Sequence, residues 1–178
     1  MAASNSLTLA FAAFLLAGIA VKFWLASRQI RHVARHRDAV PGMFQGTVSL
    51  AAHQKAADYT VAKTRFGLLE LAFGGAVLLG WTLLGGLDAL NHLLRAWLGA
   101  GMTQQLALLA AFALISGAVE LPLALYQTFV IEERFGFNKM SWKLWIIDLA
   151  KSTLLGAAIG LPIAALILWL MGATGSLW

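Results

Sequence analysis

Four runs of apolar residues dominate the chain, at residues 7–26, 67–87, 106–131 and 149–171, with most charged side chains gathered between them. The runs are rich in Leu and Ala and lack the period-two alternation of a barrel strand. Each is close to or above the roughly 20 residues that a helix needs to cross a hydrocarbon layer about 30 Å thick. In lipid the backbone amides and carbonyls must pair within their own segment, which a helix achieves alone. The pattern predicts an all-α fold of four membrane-spanning helices.

The connectors between the runs differ sharply in charge. Residues 27–66 hold seven Lys and Arg, residues 88–105 hold only Arg95, and residues 132–148 hold Arg134, Lys139 and Lys143. Lys22 and Lys151 adjoin the same side, so twelve of the thirteen basic residues fall on one face of the membrane. The positive-inside rule makes that face cytoplasmic and both termini extracytoplasmic. A signal peptide would carry its positive charge before the first run, whereas residues 1–6 (MAASNS) have none. The long connector reads as a basic helix from Ser27 to Ala39, stopped at Val40-Pro41-Gly42, because the residue before proline avoids helical angles. A second helix then starts near Ser49 and runs through Tyr59 into the next span.

Composition agrees. Hydrophobic residues make up 60% of the chain and charged ones 12%, with mean hydropathy +0.78. A soluble domain carries about 25% charged residues, so a water-soluble globule and a disordered tail are both excluded. The net charge of +5 does not signal nucleic-acid binding, since the basic connector lacks an aromatic-interleaved groove. A basic face held against anionic headgroups accounts for it. With no cysteine, disulfides, thiolate metal sites and a cysteine nucleophile are excluded. The alanine- and arginine-rich bias points to a bacterial inner membrane.

Few residues suggest chemistry. His32 and His36 have the i, i+4 spacing of a zinc-ligand pair, but a zincin places Glu directly after the first His to activate water. Val33 stands there, and Arg31, Arg35 and Arg37 would repel a divalent cation. Glu120 lies inside the third apolar run, about 16 Å from Ile131 at ~1.5 Å per residue. A charged carboxylate at that depth costs about 2.5–3.5 kcal/mol on insertion scales, so it should face the bundle interior or a wet cavity. Pro122 removes the hydrogen bond to the Ala118 carbonyl and predicts a bend there. A functional acid lining a polar chamber and a structural, hydrogen-bonded carboxyl both remain open for Glu120. Glu70, Asp148 and Lys151 lie near the interface, where structural roles suffice. Gly156 and Gly160 form a GxxxG spacing that reads as helix packing, and Trp81, Trp97, Trp142, Trp145, Trp169 and Trp178 read as an interfacial belt.

One stretch is more specific. LPLALYQTFVIEERFGFNK, residues 121–139, resembles the inner-loop signature of CAAX prenyl proteases of the Ste24 type, the integral membrane zinc metallopeptidases of the M48 family. The resemblance continues in His36-Arg37, Val40-Pro41, Phe44, Gln54-Lys55, Tyr59, Lys63 and Phe66-Gly67. It implies a multi-helix barrel around a water-filled chamber, with a cytoplasmic-side domain that binds zinc through HExxH and a later Glu. Eukaryotic members trim prenylated C-terminal peptides. No HExxH occurs in this sequence, so no catalytic or metal-ligating residue carries over. The zinc ligands are expected beyond Trp178, and the chain reads as a domain excerpt or partial gene product. The implied partners are the lipid bilayer, the C-terminal metallopeptidase domain and a peptide or protein substrate, with no nucleic acid.

Glu120, Pro122, Glu132, Glu133, Arg134 and Asn138 are then the chamber or docking residues. The Glu132-Glu133-Arg134 cluster stands where the protease domain would dock. The rival reading is a complete four-helix adaptor or transport subunit without catalysis. A carrier is disfavoured, because there is no convincing internal repeat and only one deep acid.

Overall fold

A computed structural model describes residues 2–174, with side-chain surroundings from residue 6 onward. Five helices follow in order: α1 (Ala2–Arg35), α2 (Leu50–Thr82), α3 (Gly86–Leu98), α4 (Met102–Tyr126) and α5 (Trp142–Thr174). A 3₁₀ turn occupies Gly42–Phe44 and a π-helical turn Gln127–Glu132. The fold is all-α. Ser6–Arg35, Met102–Glu132 and Trp142–Thr174 are each long and apolar enough to cross a membrane, and α2 with α3 makes a fourth candidate, interrupted at residues 83–85.

The basic connector is helical at both ends, as its sequence predicts. α1 runs past the first apolar run to Arg35, and α2 starts immediately after Ser49. The Ser49 hydroxyl accepts a hydrogen bond from the Ala52 amide at 3.2 Å, satisfying one of the orphan N–H groups of a helix start. Ser141 does the same for α5, accepting from the Leu144 amide at 3.3 Å.

Three features differ from the sequence-based expectation. The connector read at residues 88–105 contains most of a further helix, α3, framed by Gly85 (φ 80°) and Gly99 (φ 73°), positions where a side chain would be strained. Its polar residues Asp88, Asn91, His92 and Arg95 recur at helical spacing, and they dilute the hydropathy by which a span is recognised. Pro122 sits inside α4, and the departure from α geometry comes five residues later, at the π turn. A Cβ added at Gly156 or Gly160 meets no atom within 4 Å, so the GxxxG face of α5 packs on nothing among the described residues.

The chain forms two compact units, one of residues 1–83 with 122–138, the other of 84–121 with 139–178. In the first, α1 packs along α2 and the π turn also lies on α2. The approach of α1 to α2 is tight at Gly75, where an added Cβ would lie 2.8 Å from Ile19 Cδ1. Ala57, Phe66 and Ile131 are the buried apolar side chains of this unit. In the second, Gln104 is buried, and its Nε2 donates to Asn91 Oδ1 at 2.7 Å, tying the start of α4 to α3. Among the described residues no side chain is fully buried, and Phe14 and Leu154 stay 80% and 70% exposed. Such apolar surface has the character of a lipid-facing one.

Candidate functional site

The two basic connectors meet within the first unit, beside the π turn. Residues 133–137 end that helical segment in a Schellman motif. The Phe137 amide donates to the Glu132 carbonyl and the Gly136 amide to the Glu133 carbonyl, both at 2.9 Å. Gly136 supplies the left-handed residue the motif needs, at φ 69°. The Asn138 side-chain amide then donates to Glu133 Oε2 at 2.9 Å, closing the loop on itself.

This loop is anchored by aromatic rings. Tyr59 of α2 meets Phe135 edge-on at 5.4 Å between centroids and Phe137 at 4.7 Å, spacings at which edge-to-face pairs attract. About two turns further along α2, Phe66 stacks on Tyr126 at 5.2 Å. Lys55 lies over Phe137 and Lys63 over Tyr59, at 5.5 and 5.6 Å, within cation–π range. Arg134 lies over Phe135 at 5.7 Å.

An ionic clasp flanks the rings. The Arg37 guanidinium donates to both oxygens of Asp58, at 2.7 and 2.9 Å, and to Asp38 at 3.0 Å. Gln54 donates to Asp38 at 2.8 Å, and the His53 ring donates to the His36 carbonyl at 2.9 Å. Asp58 lies ahead of the apolar run at residues 67–87, in the polar first part of α2. Its hydrogen bond to Arg37 and the positive charges of Arg37 and Arg134 hold its carboxyl below the usual carboxylate range. The same hydrogen bond raises Arg37 above its ordinary value.

The structure therefore brings Glu132, Glu133, Arg134 and Asn138 together in one platform with Tyr59 and Asp58. Pro122 falls in the same unit, in α4, whereas Glu120 belongs to the other unit. Glu120 is exposed and makes no hydrogen bond or ion pair among the described residues. Sequence reasoning passed over Asp58, although it and Asp38 are the only acids in residues 27–66. Acids that isolated amid seven basic residues were the available signal.

Comparison with known proteins gives this platform its context. Residues 29–178 match a family described as the CAAX prenyl protease N-terminal region, with five membrane helices. The chain belongs to that family. It is 30% identical over 165 residues to CAAX prenyl protease 1 of Saccharomyces cerevisiae, covering 87% of this chain and 36% of that protein. It is 31% identical over 179 residues to the CAAX prenyl protease 1 homolog of Homo sapiens, covering 93% and 37%. The crystal structure of S. mikatae Ste24p superposes with TM-score 0.82 at 29% identity, over 92% of this chain and 39% of that one. The chain thus spans about a third of the length of these curated relatives. It corresponds to the N-terminal membrane region of the Ste24-type family and is an integral multi-pass membrane protein.

The family is one of zinc metalloproteases. Among the described residues no group of three or more His, Asp or Glu could hold a metal ion. The His32 and His36 rings lie 4.3 Å apart, but the His36 Nδ1 is engaged with the His32 carbonyl at 2.8 Å, and arginines surround both. The donors present do not fit a zinc site, and no step of peptide cleavage is assigned to them.

Proposed function

We propose that this region forms part of the wall of a membrane chamber in a zinc endopeptidase and that the 132–138 platform receives the zinc-bearing domain. The observation that carries the chamber reading is Glu120, an exposed carboxylate in an apolar helix with no ion-pair partner among the described residues. Facing lipid, it would cost about 2.5–3.5 kcal/mol. Facing water in a chamber, it costs little and offers a polar surface to a peptide. The platform supports the docking reading, because its loop is fixed by hydrogen bonds and rings before any partner arrives, and pre-ordering lowers the entropy lost on association. Zinc-activated hydrolysis would be supplied by the docked domain. Peptide substrates, prenylated ones included, are supported by the likeness to CAAX prenyl proteases.

The test uses the complete protease. Glu120→Leu is expected to lower kcat/KM for a CAAX peptide while zinc content stays unchanged. Glu133→Lys is expected to weaken assembly with the zinc domain, and Glu133→Gln, which still accepts from Asn138, to do so less. Full activity and assembly in all three variants would reject both roles. An antibody to residues 132–144 settles the physical context first. A native band well above 19.1 kDa supports the protease, and one at that mass supports a stand-alone adaptor.

A further inference from the structure

The basic residues of the connector side divide by what they touch. Arg37 is bound to Asp58 and Asp38, and Lys55, Lys63 and Arg134 lie over aromatic rings. Arg28, Arg31 and Arg35 are exposed and face no carboxylate among the described residues. With Trp24 they recur at intervals of four, three and four residues on α1, which confines them to an arc of about 60° at ~100° per residue. Trp24 is 55% exposed, and the Arg28 guanidinium lies over its ring at 4.9 Å.

We propose that this stripe is a binding site for the phosphate groups of anionic phospholipids. The first apolar run ends at about residue 26, which sets Trp24 at the edge of the hydrocarbon layer, where its amphipathic ring is favoured. Arg28 to Arg35 then covers roughly 10 Å of helix axis at ~1.5 Å per residue, beginning within a headgroup layer about 5–7 Å deep. Side chains of a helix lean toward its N-terminus, which here is the membrane side, so the long arginines reach back to the phosphates. A planar guanidinium meets two phosphate oxygens at once. Continuity with a membrane-crossing helix is what favours lipid over a protein partner, in whichever leaflet the stripe lies.

The experiment is native mass spectrometry of the delipidated 178-residue chain, titrated with phosphatidylglycerol or phosphatidylcholine. Arg28→Gln with Arg31→Gln and Arg35→Gln is expected to weaken phosphatidylglycerol binding about tenfold or more and to leave phosphatidylcholine unchanged. Lys55→Gln with Lys63→Gln and Arg134→Gln removes equal charge away from the α1 stripe and is expected to change it by no more than about twofold. A triple Arg→Lys variant keeps the charge but not the two-pronged geometry and is expected to bind between wild type and the first triple, and circular dichroism checks helicity throughout. Equal losses in the two Gln triples, or none in the first, would overturn the site.

Discussion

Arg37 and Asp58 form a two-pronged ion pair across 21 residues of sequence, with Nε 2.7 Å from Oδ1 and a terminal nitrogen 2.9 Å from Oδ2. It joins the turn after α1 to α2 beside the platform. Parallel N–H···O bonds of this kind fix orientation as well as distance.

A pH dependence follows from that pair. Asp58 has a lowered folded-state pKa, so its contribution to stability is complete above the unfolded value of about 3.9. It is lost as pH falls through the lower folded value. Asp58→Asn should lower the thermal midpoint in detergent at pH 7 and flatten its decline below about pH 4. Both side chains are over a third exposed, so high salt should shrink the difference. A wild-type decline preserved in the variant would show that other acids carry it.

The Schellman loop depends on one backbone conformation. Gly136→Ala forces a Cβ into the left-handed region at φ 69° and 3.5 Å from Lys55 Nζ, at a cost of about 1–2 kcal/mol. Limited proteolysis should then cut the 133–141 segment faster. Gly46→Ala, with open space around it, is the control and should leave the cutting rate unchanged.

Two helical glycines should respond oppositely to the same substitution. Gly75→Leu drives a side chain into Ile19, which already lies 2.8 Å from the position of an added Cβ, and overpacking of that kind costs about 1–3 kcal/mol. Gly156→Leu meets nothing within 4 Å and gains helix propensity of up to about 0.8–1 kcal/mol. Thermal unfolding of the two variants in one detergent checks the contrast. Equal destabilisation by both would mean that the α5 face is packed after all.

Orientation can be read directly, because the chain has no cysteine of its own. Thr174→Cys, at the end of α5, should react with a membrane-impermeant maleimide added to intact cells. Labelling only after permeabilisation would reverse the topology derived from charge.

The fold class was legible because lipid imposes a strong and local rule. A long apolar run must satisfy its own backbone, so helix follows from composition alone. Ser49 marked the start of α2 for the same reason, since a cap acts on near neighbours, whereas α1 ends at Arg35, five residues before the Val40-Pro41 stop that the sequence suggested. α3 escaped because Asp88, Asn91, His92 and Arg95 break the apolar run without breaking the helix. The 132–138 segment was visible through its resemblance to a family, but its anchoring to Tyr59 was not, since that contact crosses more than 70 residues.

By itself, then, the sequence determined an all-α membrane protein with a Ste24-type signature between two apolar runs. Those properties depend on the identities of neighbours within a few turns, where hydropathy and backbone pairing act. Only the tertiary structure decided which charges are used up. Arg37 found Asp58, and Lys55, Lys63 and Arg134 found rings of the platform, while Arg31 and Arg35 stayed open and Arg28 lies over Trp24 of its own helix. Electrostatic attraction falls with distance in space, which folding sets, and not with distance along the chain.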